Sequence, residues 1–89
     1  MRAVITVIGH DRVGIIAAVS TILADCNVNI LDISQTIMQD MFTMIMLVDI
    51  SKATTDFSDL AQQLEQKGNE MGLSVRIQHE EIFNSMHRI

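Results

Sequence analysis

Apolar residues recur along this chain at two spacings, and the switches between them predict where its elements begin and end. Residues 3–8 are all apolar or β-branched and are closed by Gly9, which predicts a buried strand. From Val13 the spacing turns helical: Ile16, Val19, Leu23 and Cys26 recur, with Ile15 and Ile22 widening the stripe. Asn27 then suits the left-handed turn that closes a helix. Residues 28–39 predict a long strand in which Leu31, Ile33 and Ile37 alternate with Asp32, Ser34 and Thr36, so one face is expected to be buried and the other polar. A short turn at Asp40-Met41 follows. Residues 42–50 are apolar on both faces, as expected of a central strand covered on both sides. After the polar stretch 51–55, Asp56 is a cap for a second helix, with Asp59 supporting it in the first turn. Phe57, Leu60, Leu64 and Met71 form its inward stripe, Gly68 allows close approach to the sheet, and Gly72 ends it. Leu73, Val75 and Ile77 alternate with Ser74, Arg76 and Gln78 in a last, half-exposed strand. Ile82, Phe83, Met86 and Ile89 return to helical spacing in a tail too short to be stable undocked.

The order strand, helix, strand, strand, helix, strand, joined by right-handed crossovers, predicts an α+β, ferredoxin-like βαββαβ fold. Its four-stranded antiparallel sheet carries two helices on one face, with a short C-terminal helix added.

Composition narrows what such a domain can do. At 89 residues the chain is a single domain, and one of this size buries only roughly 60–70% of its unfolded surface. Pairing with another copy is therefore expected. The 48% apolar content excludes disorder, and the net charge of −5 argues against nucleic acid or an anionic membrane as partner. Aromatic residues are only 3%, so platforms for stacking bases are missing. Cys26, the single cysteine, has no partner for a disulfide within the chain and lies on the apolar stripe of the first helix, as a buried inert thiol would. The apolar start is interrupted by His10, Asp11 and Arg12, too early for a signal peptide or a membrane span, and a cytoplasmic location is expected.

Candidate chemistry gathers in residues 9–15, Gly-His-Asp-Arg-Val-Gly-Ile, where strand character gives way to helix. Asp11 stands where a carboxylate caps free N–H groups, and Gly14 falls in the first helical turn, although Gly there costs ~1 kcal/mol relative to Ala. A Gly in that position suits close approach to the backbone by a neighbouring strand or by an anionic ligand at the helix start. Elsewhere the chain offers little. No Ser/His/Asp or Cys/His spacing and no phosphate-cradling loop is present, so no enzyme activity and no cofactor are expected. His10, His79 and His87 are scattered, and His79-Glu80-Glu81 reads as a solvated strand end, so no metal is expected.

The stretch Gly-His-Asp-Arg-Val-Gly-Ile-Ile, followed after one helix by Asn-Val-Asn-Ile, resembles the ACT domain, a small-molecule-sensing module of amino-acid metabolism. The likeness covers nearly the whole chain, residues 1–80, with 81–89 as an amphipathic tail. It is narrower towards short stand-alone ACT proteins related to the glycine cleavage system transcriptional repressor. Val13 stands where the commoner motif has Pro. The resemblance implies an amino acid held between two copies, by Asp11, Arg12, Gly14 and Ile15 of one turn and Asn29 of the other copy's second strand. Amino-acid-binding members tend to carry an amide where this chain has Asp11, whose carboxylate can take the ligand's ammonium but repels its carboxylate. The leading expectation is thus a regulatory, ligand-sensing homodimer that signals through a protein partner. The alternative is a ligand-free homo-oligomeric or protein-interaction module, motivated by the Met-rich third strand and the apolar tail. The ferredoxin-like plan alone decides neither.

Overall fold

The computed structural model describes residues 1–86. Its elements run β1 (Arg2–His10), α1 (Ile15–Asp25), β2 (Asn29–Met38), β3 (Met41–Asp49), α2 (Phe57–Met71), β4 (Leu73–His79) and α3 (Glu80–Met86). The strands form one antiparallel sheet in the order β2-β3-β1-β4, which is the expected ferredoxin-like plan.

Alternation along the strands sorts side chains onto two faces. Ala3, Ile5 and Val7 of β1, Phe42, Met44, Met46 and Val48 of β3, and Leu73, Val75 and Ile77 of β4 are buried beneath Ile15, Val19 and Leu23 of α1 and Leu60 and Leu64 of α2. Gly68 is required where α2 lies on β4, because a Cβ there would stand 2.6 Å from Val75 Cγ2 and 3.0 Å from the Leu73 carbonyl oxygen. Asp56 caps α2 as expected, accepting from the Asp59 N–H at 2.9 Å, and Gly72 closes it at φ 73°. Asn27 adopts φ 58° at the end of α1 and donates its side-chain amide to the Lys52 carbonyl at 2.9 Å.

Three expectations change. β3 is covered on one side only: Ile45 on its other face is 42% exposed. On α1, Ile16 leaves the inward stripe and is 41% exposed, the buried positions being Ile15, Val19 and Leu23. β2 has no buried face at all: every residue from Leu31 to Met38 is exposed. A bulge between Ile30 and Asp32 re-phases this strand, so Ile33 and Ile37 pair with Met46 and Phe42 on the helix side, yet neither helix reaches far enough to cover them.

The sheet face turned away from α1 and α2 is partly covered by α3, which contacts β1 and β4. Val4 lies on this face and is buried, and Phe83 of α3 is half-buried. Arg2 fixes the start of α3 by a two-pronged bond to Glu80, at 3.0 Å from Nε and 2.8 Å from Nη2. Of the apolar tail stripe, Ile82 is 51% exposed, while Ile89 lies outside the described residues.

Candidate functional site

β1 delivers the chain to the top of the sheet at His10, and α1 starts only at Ile15, so Asp11 to Gly14 form the connecting turn. The cap differs from expectation. Gly14, not Asp11, is the N-cap residue, and it sits at φ 93° with no side chain bonding the helix start. Asp11 instead donates its backbone N–H to the Asp40 carbonyl at 2.7 Å, which ties the turn to the β2–β3 hairpin. Gly14 is also glycine for a different reason than close approach: a Cβ there would meet nothing within 4 Å, and the positive φ is what excludes other residues.

The result is a bare helix end. The first N–H groups of an α-helix have no acceptor within the helix, no acidic residue stands in the first turn of α1, and the positive end of its dipole faces solvent. Asp11, Arg12 and Val13 around it are all exposed, Val13 to 95%. Arg12 has no carboxylate within salt-bridge distance among the described residues. Chemically, the turn offers backbone donors and a guanidinium for a carboxylate, the Asp11 carboxylate for an ammonium, and an apolar rim from Val13 and Ile16.

Asn29 is not part of this arrangement within one chain. It shares a cross-strand row with Asp49 and Arg2, at the opposite end of β1 from His10, about 27 Å away at roughly 3.4 Å per residue. There it borders a cavity of about 370 Å³ lined by Ala24, Asn27, Val28, Asp49 and Lys52. The structure therefore brings Asp11, Arg12, Gly14 and Ile15 together, with Ile15 buried in the core, and leaves Asn29 apart. The Asp40 support of the turn escaped the sequence reading, because that contact depends on hairpin register that no local pattern encodes.

Among the described residues no group of His, Cys, Asp and Glu side chains is arranged to hold a metal ion, and no helix is long and apolar enough to cross a membrane. The Asp49 carboxyl is held below the ordinary carboxylate range by hydrogen bonds from Ser51, helped by the charge of the N-terminal ammonium 3.7 Å away.

Comparison with known proteins places these features among relatives. A family model described as the ACT domain matches residues 2–78. A UPF0237 protein of Methanocaldococcus jannaschii is 59% identical over 88 residues, covering 99% of this chain and 98% of that protein. A solved ACT domain protein from Streptococcus pneumoniae superposes with a TM-score of 0.80 at 40% identity, over 98% of both chains. A putative glycine cleavage system transcriptional repressor gives a TM-score of 0.73 at 25% identity, over 86% of this chain and 44% of that one.

Proposed function

Since the chain belongs to the ACT domain family, we propose that it is a stand-alone regulatory domain that binds a small amino acid between two copies and performs no catalysis. The uncapped, solvent-facing start of α1 carries this reading, because it pairs free backbone donors with Arg12 and Asp11 in one exposed turn.

The separation of Asn29 from that turn supports a dimer. β2 is an edge strand whose outer backbone has no partner among the described residues, and Ile33 and Ile37 on it, with Ile16 of α1, are 41–50% exposed. Antiparallel pairing of β2 with β2 of a second copy reverses top and bottom. It carries each Asn29 to the end of the seam where the other copy's turn begins, and it buries the isoleucines. The ligand's carboxylate then meets the α1 N–H groups and Arg12, and its ammonium meets Asp11 and the Asn29 amide oxygen. In this reading residues 1–80 do the sensing in the cytoplasm, the signal passes through a protein partner, and 81–89 serve as a docking tail.

Isothermal titration against the twenty amino acids tests the proposal. One ligand per chain is expected, with binding abolished or strongly weakened by Asn29→Ala; absence of heat from every amino acid with folded protein overturns it. A second reading, a ligand-free assembly module, is favoured by the bare apolar positions Ile8 and Ile45 on the far sheet face. Under that reading the protein assembles and no amino acid gives heat.

A further inference from the structure

The last cross-strand row at the hairpin end of the sheet has an unusual composition. Met38 pairs directly with Met41, and Met41 with His10, so three neighbouring strands present two thioethers and an imidazole in one line. All three positions are in phase with Ile8 and Thr43, on the face away from α1 and α2. Directly opposed residues have Cβ atoms about 4.5–5.5 Å apart, so Met41 is within reach of both neighbours; His10 and Met38 flank it about 10 Å apart, and an ion above Met41 meets all three when the two outer side chains lean inward. Methionine ordinarily fills cores, as Met44 and Met46 do three and five rows away on the other face, yet Met38 is 70% exposed and Met41 42%. Core packing does not account for them.

Two further observations point to an ion. His10 Nδ1 stands 3.6 Å from the Asp40 carboxylate, just beyond hydrogen-bond length and with both side chains about four-fifths exposed; a small approach lets the carboxylate accept the Nδ1 proton, which leaves Nε2 to face an ion. At the same tip a cavity of about 420 Å³ opens, lined by Met38, Asp40 and Met41 together with Thr36, Gln39 and Thr43, with His10 outside its lining. Among the described residues His, Cys and carboxylate groups form no cluster that could hold an ion by themselves, so at this tip the thioethers would have to supply most of the donors.

We propose that Met38, Met41 and His10 form a binding site for a soft monovalent cation, Cu(I), with the two sulfurs and Nε2 as donors and Asp40 as the orienting carboxylate. Uncharged thioethers bind hard ions such as Mg²⁺ or Ca²⁺ poorly and suit Cu(I), or its closed-shell analogue Ag(I). Binding is simple coordination with no change of oxidation state. The site stands apart from the open end of α1 and does not depend on amino-acid binding, although Asp40 also holds the Asp11 N–H through its backbone.

The test uses the unaltered chain labelled at its methionine methyl groups, titrated with Ag(I) and followed by NMR. The Met38 and Met41 methyl resonances, identified with Met38→Leu and Met41→Leu, are expected to shift together and saturate at one equivalent, while those of Met44 and Met46 stay in place. Anaerobic competition for Cu(I) against a chromogenic chelator should show affinity falling on the order of tenfold in Asp40→Asn and further in the Met38→Leu/Met41→Leu double variant, with unchanged unfolding midpoints. Because Cys26 is a competing soft donor, Cys26→Ala is measured alongside and should retain the shift at Met38 and Met41. Saturating Ag(I) that leaves those two methyls unmoved, or Cu(I) binding that disappears with Cys26→Ala and survives the double methionine change, overturns the proposal.

Discussion

Gly14 shows how one backbone angle exposes a helix. At φ 93° with open space around its missing Cβ, the residue is constrained by conformation and not by contact. Gly14→Ala should therefore cost about 1–2 kcal/mol, the ordinary penalty for an L-residue in the left-handed region, measured as a fall in urea unfolding free energy. Gly68→Ala fails differently, since its methyl would meet Val75 and the Leu73 carbonyl; separation of α2 from β4 should cost roughly 1–3 kcal/mol. Asp49 sets a pH dependence. Its carboxyl titrates lower in the folded chain than in the unfolded one, owing to the Ser51 hydrogen bonds. The stabilisation is thus present above the unfolded carboxylate pKa and is lost as pH falls through the lower folded value. Thermal melts at successively lower pH should show a shallower acid decline for Asp49→Asn than for the unaltered protein. Some single-residue readings were open to the sequence: Gly72 and Asn27 advertise left-handed helix ends by type alone. The Asp11 cap was misread because Asp is a strong capping residue by type, whereas the cap depends on where the turn releases the chain, and the hairpin's hold on the Asp11 N–H decides that.

At the scale of elements, alternation reports which residues share a face but not what covers it. For β4 the two coincide, and Leu73, Val75 and Ile77 are buried beneath α2. For β3 and β2 they diverge: apolar positions read as core stand bare, and the bulge after Ile30 shifts the phase of β2 without leaving a mark in residue type. The contrast is measurable among methionines. Met46→Ala, at a fully buried position, should cost about 2–5 kcal/mol, while Met38→Ala should change stability by no more than about 0.5 kcal/mol. Ile33 belongs to a third class. Lysine at an edge strand blocks pairing without harming the strand itself, so if the chain pairs through β2 as proposed, Ile33→Lys is expected to halve the molar mass seen by light scattering and leave the unfolding cooperativity of the subunit intact.

The whole molecule is a single sheet with helices across one face, a short helix over part of the other, and an exposed edge at β2. A domain this small gains stability from any surface that binds only its folded form. If β2 pairs across a two-fold axis, the melting temperature should rise with protein concentration in the unaltered chain and be independent of it in Ile33→Lys.

The distance of about 27 Å between Asn29 and the turn at Asp11 reaches beyond structure. Neither half of the proposed grip is complete in a lone subunit, so abundance becomes part of the message: a cell making little of this protein would be deaf to the metabolite, and one making more would hear it at lower doses. Expression level would then act as a volume control on the sensor, with no change to a single residue that touches the ligand.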